Sequence, residues 1–100
     1  MALSGPQARA ARALIEWPLD RVARLAGVAP ELLDQFETLS ADPGDAAASA
    51  IRDALEQGGA VFIDEGDGQG VGVRLKWSRK DARQLNRLEN EGGPVGDDDV

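Results

Sequence analysis

Gly27 and Pro30 stand three positions apart within apolar residues that are spaced for helices. Glycine adopts, without steric cost, the left-handed conformation that ends many helices. Proline is tolerated at the first helical position, because its missing N–H donor would have no partner there. The stretch LAGVAPELLDQFE at 25–37 therefore predicts two helices that meet at a tight turn, and this turn restricts the fold more than any other feature.

A first helix is predicted upstream, over 7–17. Ser4 can cap its free N–H groups. Pro18 ends it, because the residue before a proline is pushed out of the α region. The inward face, defined by i, i+3, i+4 spacing, contains Ala11, Leu14 and Ile15.

Three more helices follow by the same reasoning. The second covers 18–26, the third begins at Pro30, and the fourth covers 45–57 after a loop at 38–45. The fourth helix is expected to stop at the glycine pair 58–59. The inward residues of these helices are Val22, Ala23, Leu33, Phe36, Ala47, Ile51, Ala54 and Leu55, with Leu25 or Ala26 as a further inward residue.

After residue 59 the apolar period changes from that of a helix to that of a strand. Val61 and Ile63 alternate with their neighbours, and so do the odd-numbered residues of 71–77. Between these runs lies EGDGQG, which is rich in residues that allow positive φ. The pattern predicts a β-hairpin, which must pack on the helices or pair with another chain because an isolated hairpin is marginal in water.

The last part of the chain is predicted to form a helix over 79–90, capped by Ser78, followed by a tail with nothing to bury. The fold class is mainly α: four helices, a β-hairpin and a C-terminal helix. We expect a domain over 7–77, a basic amphipathic helix over 78–90 and a disordered acidic tail over 91–100.

The residue types that are missing exclude several chemistries. The 100-residue chain contains no histidine and no cysteine. An imidazole base, a thiolate metal site and a disulfide are therefore excluded, and we expect no enzyme, metal or cofactor. No apolar run approaches the roughly 20 residues of a membrane span, and there is no signal-peptide layout, so we expect a cytoplasmic protein.

Three stretches of the sequence carry a resemblance to a known family. They are ARALIEW at 11–17, PLDRVARLAGVAPELLDQFE at 18–37 and AIRDALEQGGAVFIDEGDGQGVGVRL at 50–75. Together they resemble short bacterial helix-turn-helix regulators of the Cro/C1 (XRE) type, over about residues 7–76. The resemblance implies a helix-turn-helix fold in which the third helix enters the DNA major groove and the second crosses the backbone.

The positions that contact DNA in that family are mostly altered here. Members usually begin the second helix with serine or threonine and then glutamine, where this chain has Pro18 and Leu19. The resemblance places Glu31, Leu32 and Gln35 toward the base edges. Of these, Gln35 has an amide that suits adenine, whereas Glu31 can accept a hydrogen bond from cytosine but repels phosphates.

Charge is distributed unevenly along the chain, whose net charge is −7. Residues 1–36 sum to zero, 37–75 to −6, 76–88 to +4, and the tail from 89 is acidic. The basic block over 76–88 either binds phosphates or forms a solvated helix face that pairs with the acidic tail. The residues predicted to contact phosphates are Arg21, Arg24, Arg79, Lys80 and Arg83.

We therefore expect a transcription regulator from a bacterium or phage that binds double-stranded DNA. A homodimer is expected, formed through the hairpin edge or through Leu85 and Leu88. Its DNA binding either stands alone or depends on another protein that supplies affinity. The alternative is a protein-interaction module whose surface includes Leu19, Glu31 and Leu32, with RNA polymerase or another regulator as its partner.

Overall fold

Four helices precede an antiparallel hairpin in the computed structural model, which describes residues 3–77. The elements are α1 (Gly5–Ile15), α2 (Leu19–Ala26), α3 (Pro30–Leu39), α4 (Asp45–Gln57), β1 (Ala60–Ile63) and β2 (Gly72–Leu75). The predicted mainly helical architecture with a hairpin is confirmed. The predicted C-terminal helix, the acidic tail, and the side chains of Arg79, Lys80, Arg83, Leu85 and Leu88 lie outside the described residues.

The two ends of α1 are fixed by local hydrogen bonds. The Ser4 hydroxyl accepts the backbone N–H of Gln7 at 3.2 Å, and the Gln7 side-chain oxygen accepts the N–H of Ser4 at 3.1 Å. This reciprocal arrangement satisfies two backbone donors that the first helical turn leaves open. The helix ends at Ile15, not at residue 17 as predicted, because Glu16 turns left-handed with φ 61° and redirects Trp17 into the core.

The core lies between the four helices and one face of the hairpin. The largest fully buried side chains are Val22, Leu33, Ile51 and Leu55, which were all predicted to point inward. Two other predicted inward residues, Leu14 and Ala47, are only half-buried, and Leu25 is exposed. Helix α3 continues to Leu39, so its last two residues occupy positions that the sequence assigned to a loop.

The hairpin buries the opposite face of β1 from the one predicted. In the register, Ala60 pairs with Leu75 and Phe62 with Val73. Ala60 and Phe62 are buried, whereas Ile63 is 45% exposed. All four residues of β1 are apolar, so alternation along AVFI does not distinguish the two faces, and contact with the helices decides.

The hairpin turn uses two consecutive left-handed residues. Asp67 has φ 53° and Gly68 has φ 76°, between the bridged residues Gly66 and Gln69. Two positive φ values characterise the type I′ turn, whose twist matches that of the strands. The glycine-rich stretch is thus a strand connection, as the sequence predicted.

Helix α1 is the element that links α3 to the hairpin. A Cβ atom on Gly5 would overlap the backbone carbonyl of Phe36, so the start of α1 sits directly against α3. On another side, the buried amide of Gln7 donates to the Gly72 carbonyl at 3.1 Å. The orientation of α3 is consequently coupled to α1 and, through α1, to β2.

Candidate nucleic-acid interface

The turn between α2 and α3 consists of residues 27–29 and has the predicted form. Gly27 is left-handed with φ 72°, and the N–H of Val28 donates to the Ala23 carbonyl at 3.0 Å. This bond satisfies a carbonyl that the end of α2 would otherwise leave open. Pro30 begins α3, and Ala29 at its N-cap makes no side-chain capping bond.

Helix α3 is anchored through its inner face. Leu33 and Phe36 are buried in the core, and Glu37 is only 3% exposed. A carboxylate removed from water needs a charged or hydrogen-bonding partner to offset its desolvation. Arg12 of α1 supplies that partner.

The ion pair between Arg12 and Glu37 is bidentate. Arg12 Nε donates to Glu37 Oε2 at 2.9 Å, and Arg12 Nη2 donates to Glu37 Oε1 at 2.9 Å. The hydrogen bond with Glu37 raises the pKa of Arg12, burial opposes this, and the charges of Glu37 and Asp34 raise it further. Spacing along the sequence does not predict this ion pair, because the two partners lie far apart in the chain and meet only through folding.

The exposed face of α3 is acidic. Glu31, Asp34, Gln35 and Thr38 are exposed, at spacings that place them on one side of a helix. The helix contains no lysine or arginine. Leu32, predicted to face bases, is half-buried and packs against the core. The side of α3 that is available to a partner therefore consists of carboxylates, an amide and a hydroxyl.

Of the two helices α2 and α3, α2 is the one that carries basic residues. The guanidinium of Arg21 lies 4.0 Å from the centre of the Trp17 ring, and Arg24 is exposed. Asp20 in the first turn is exposed as well. Pro18 provides no side-chain cap, and Leu19 is half-buried against the core, so neither takes the polar role that the family resemblance assigns to these positions.

The structure brings together only part of the predicted interface. Arg21 and Arg24 on α2 are joined through the short turn to Glu31 and Gln35 on α3. The basic block also contributes Lys76, whose Nζ lies 5.4 Å from the ring centre of Trp77. Its position at the start of the basic block was visible, but its neighbours in the fold were not.

A second surface lies at the far end of α3. Leu39 is 73% exposed there. Beside this end, an open groove of about 360 Å³ runs between the start of α1, the end of α3 and the start of α4. Its lining includes Leu3, Pro6, Phe36, Pro43, Asp42 and Asp45.

Within residues 3–77, no three or more acidic side chains come together in a way that would hold a metal ion. Over the same residues, no helix has both the length and the apolar character needed to cross a membrane.

Comparison with models of known protein families gives no match, and comparison with curated proteins gives no match either.

Proposed function

We propose that the chain is a DNA-binding transcription regulator of the helix-turn-helix type that its sequence resembles. One observation carries the proposal: α2 and α3 are joined by a three-residue turn, and α3 is fixed by the core and by an ion pair while one face stays exposed. A helix held in this way can enter the major groove without losing its orientation.

In this proposal α3 contacts the bases and α2 contacts the sugar-phosphate backbone. The amide of Gln35 suits adenine, since it can both donate to N7 and accept from N6. Glu31 suits the cytosine amino group. Arg21 and Arg24 lie on the helix that would cross the sugar-phosphate backbone, where arginine supplies charge-assisted hydrogen bonds.

The acidic face of α3 makes additional sources of affinity necessary. Glu31 and Asp34 repel nearby phosphates, and the α2–α3 pair includes only two basic side chains. The proposal therefore includes the basic segment with Arg79, Lys80 and Arg83, and a homodimer in which two copies each read a half-site. A partner protein bound beside the regulator would serve the same purpose.

A protein-interaction module is the second candidate, and a separate observation favours it. The end of α3 exposes Leu39 beside the groove that Phe36 and Pro43 help to line, and the acidic face of α3 continues from there. Apolar side chains next to carboxylates suit a partner segment that combines leucine-like and basic residues. RNA polymerase or another regulator would supply such a segment.

Fluorescence anisotropy with labelled random duplex DNA at low salt separates the two candidates. We expect the wild-type chain to bind, with affinity that weakens as salt increases, because phosphate contacts release counterions. Selection of preferred sequences then tests the role of Gln35. The Gln35→Ala variant should lose about 1–3 kcal/mol on a selected site and relax its preference at one base pair.

The matched control is Gln57→Ala, which removes an exposed glutamine at the end of α4. This variant should bind the selected site like the wild type. If a folded wild-type sample fails to bind duplex DNA at low salt, the stand-alone reader is rejected. Equal losses in the Gln35 and Gln57 variants would reject the assignment of α3 as the reading helix.

A further inference from the structure

The groove beside the end of α3 is formed by three segments that are separate in sequence. The start of α1, the end of α3 and the start of α4 border it, and its volume is about 360 Å³. Its lining includes the buried core residues Leu3 and Phe36, together with the exposed Pro6. Because the start of α1 already touches the α3 backbone at Gly5, the groove cannot close by an approach of these helices. Its size is at the lower end of the range for ligand pockets, about 300–1,000 Å³, and suits one or two side chains.

Apolar surface continues from the groove to the end of α3. Leu39 is 73% exposed, more than any other large hydrophobic side chain within residues 3–77, and it precedes Ser40, which lines the groove. A single exposed leucine is ordinary. A leucine next to an apolar groove extends the surface that a partner can cover. A ligand that covers both must be longer than the groove, which favours an extended protein segment over a small molecule.

The rim of the groove is negatively charged. Asp42 and Asp45 line it and are exposed, and neither forms an ion pair within residues 3–77. Asp42 is held in place, because its Oδ1 accepts the backbone N–H of Gly44 at 2.9 Å. The bordering ranges 3–6 and 36–48 contain no lysine or arginine. The rim therefore attracts a cationic ligand and repels a phosphate.

We propose that this groove binds a short segment of another protein in which leucine-like side chains are flanked by arginine or lysine. One apolar side chain enters the groove beside Leu3 and Phe36, and a second covers Leu39. The flanking cations lie at Asp42 and Asp45, whose carboxylates accept charge-assisted hydrogen bonds. The inference rests on the second candidate function, whose partner it defines by chemistry, and it does not require DNA binding.

The groove and the predicted base-facing side of α3 use different residues. Phe36 and Ser40 line the groove, whereas Glu31 and Gln35 do not. The groove also lies at the end of α3 that is remote from the α2–α3 turn. Over the ten residues of the helix, the two ends are about 14 Å apart. A segment in the groove therefore leaves the turn and Glu31 available to a second ligand.

The test is a titration of the full ¹⁵N-labelled chain with the end-capped peptide Ser-Arg-Leu-Leu-Arg-Ser. We expect saturable changes of amide chemical shift at Leu3, Ser40 and Ala48, which border the groove. A peptide with both leucines replaced by alanine should lose this binding, and so should one with both arginines replaced by glutamate. The affinity of the first peptide should fall as salt increases, because salt screens exposed charges.

Two variants separate the apolar contribution from the charged one. Leu39→Ala should weaken peptide binding by about tenfold, since it removes most of a side chain that the peptide covers. Asp42→Asn should weaken it by about two- to fivefold, as for an exposed charge pair. The asparagine oxygen can still accept the N–H of Gly44. The matched controls are Leu25→Ala on α2 and Asp53→Asn on α4, which alter exposed residues outside the groove and should leave the affinity unchanged.

The contrary outcomes are distinct. Absence of saturable binding, equal binding of the alanine or glutamate peptide, or equal losses in the control variants would overturn the inference. Shift changes at Glu31 and Gln35 in place of Leu3 and Ser40 would overturn the groove as the site, although they support the second candidate function. Self-association without peptide, measured by analytical ultracentrifugation and abolished by Leu39→Ala, would overturn it because a second copy would then be the occupant.

Failure of this inference is distinguishable from failure of DNA binding. A chain that binds duplex DNA but not the peptide overturns the inference and keeps the proposed DNA-binding function. A chain that binds the peptide in the groove but no duplex supports the inference and rejects the stand-alone DNA reader.

Discussion

Helices α2 and α3 share one turn and one core but present opposite charges to their surroundings. On α2, Arg21 and Arg24 outnumber Asp20, whereas the exposed face of α3 has Glu31 and Asp34 and no basic residue. Apart from Glu37, which pairs with Arg12, the buried residues of both helices are aliphatic or aromatic core residues. The residues that position each helix and those on its exposed face are therefore separate sets, so one set can change while the other is kept.

The two helices also differ in how they are held. Helix α3 is attached to α1 by the bidentate pair of Arg12 and Glu37, one of whose partners is almost fully buried. Helix α2 is attached through Val22 and Ala23 in the core and through the stacking of Arg21 on Trp17. The helix with the less favourable charge for DNA is thus the one that an ion pair with a buried carboxylate attaches to α1.

The largest change in stability is expected when the ion pair that attaches α3 to α1 is removed. Arg12→Ala leaves the Glu37 carboxylate buried without its partner, which should lower the free energy of unfolding by about 3 kcal/mol. This figure is at the low end of the range for buried pairs, because the Arg12 side chain is 25% exposed. Chemical denaturation measures it. Arg9→Ala, an exposed arginine on the same helix, is the control and should change stability by less than about 0.5 kcal/mol.

A smaller effect is expected at the turn that joins the two helices. Gly27→Ala forces a side chain into the left-handed conformation at φ 72°, at a cost of about 1–2 kcal/mol. A Cβ there meets nothing within 4 Å, so the loss reports backbone strain alone. Gly70→Ala, also in open space, should be close to neutral, and equal losses at both positions would contradict this assignment.

The smallest effect is expected from a change of charge on the exposed face of α3. Glu31→Lys gives α3 a basic group like those of α2, without altering a buried contact, because Glu31 is exposed. If α3 lies against DNA, the slope of log affinity against log salt should steepen by about 0.9. Asp53→Lys makes the same charge change on the exposed side of α4. A similar gain from both would show that α3 is not the helix near the phosphates.

The element order could be predicted from the sequence because it depends on local signals. Gly27, Pro30 and the glycine pair 58–59 mark boundaries through backbone preferences that act within a few residues. Apolar spacing then identified most buried positions of α2, α3 and α4. The end of α1 was misplaced by two residues because Glu16 adopts a left-handed conformation that its residue type does not announce.

Features that depend on distant residues could not be predicted in this way. The buried face of β1 required knowledge of which side meets the helices, since AVFI is apolar throughout. The pairing of Arg12 with Glu37 and the groove between α1, α3 and α4 arise only when separate elements pack. The candidate interface was predicted by resemblance, and its charge pattern was visible in the sequence, but the half-buried position of Leu32 was not.

The most direct test of DNA binding by α2 and α3 is an amide chemical-shift titration of the full ¹⁵N-labelled chain with a short DNA duplex. The proposed DNA-binding function predicts that the largest changes cluster on α2 and on the first turns of α3 up to Gln35. Changes confined to Leu39 and the groove residues, or no changes from a folded sample at low salt, would contradict it.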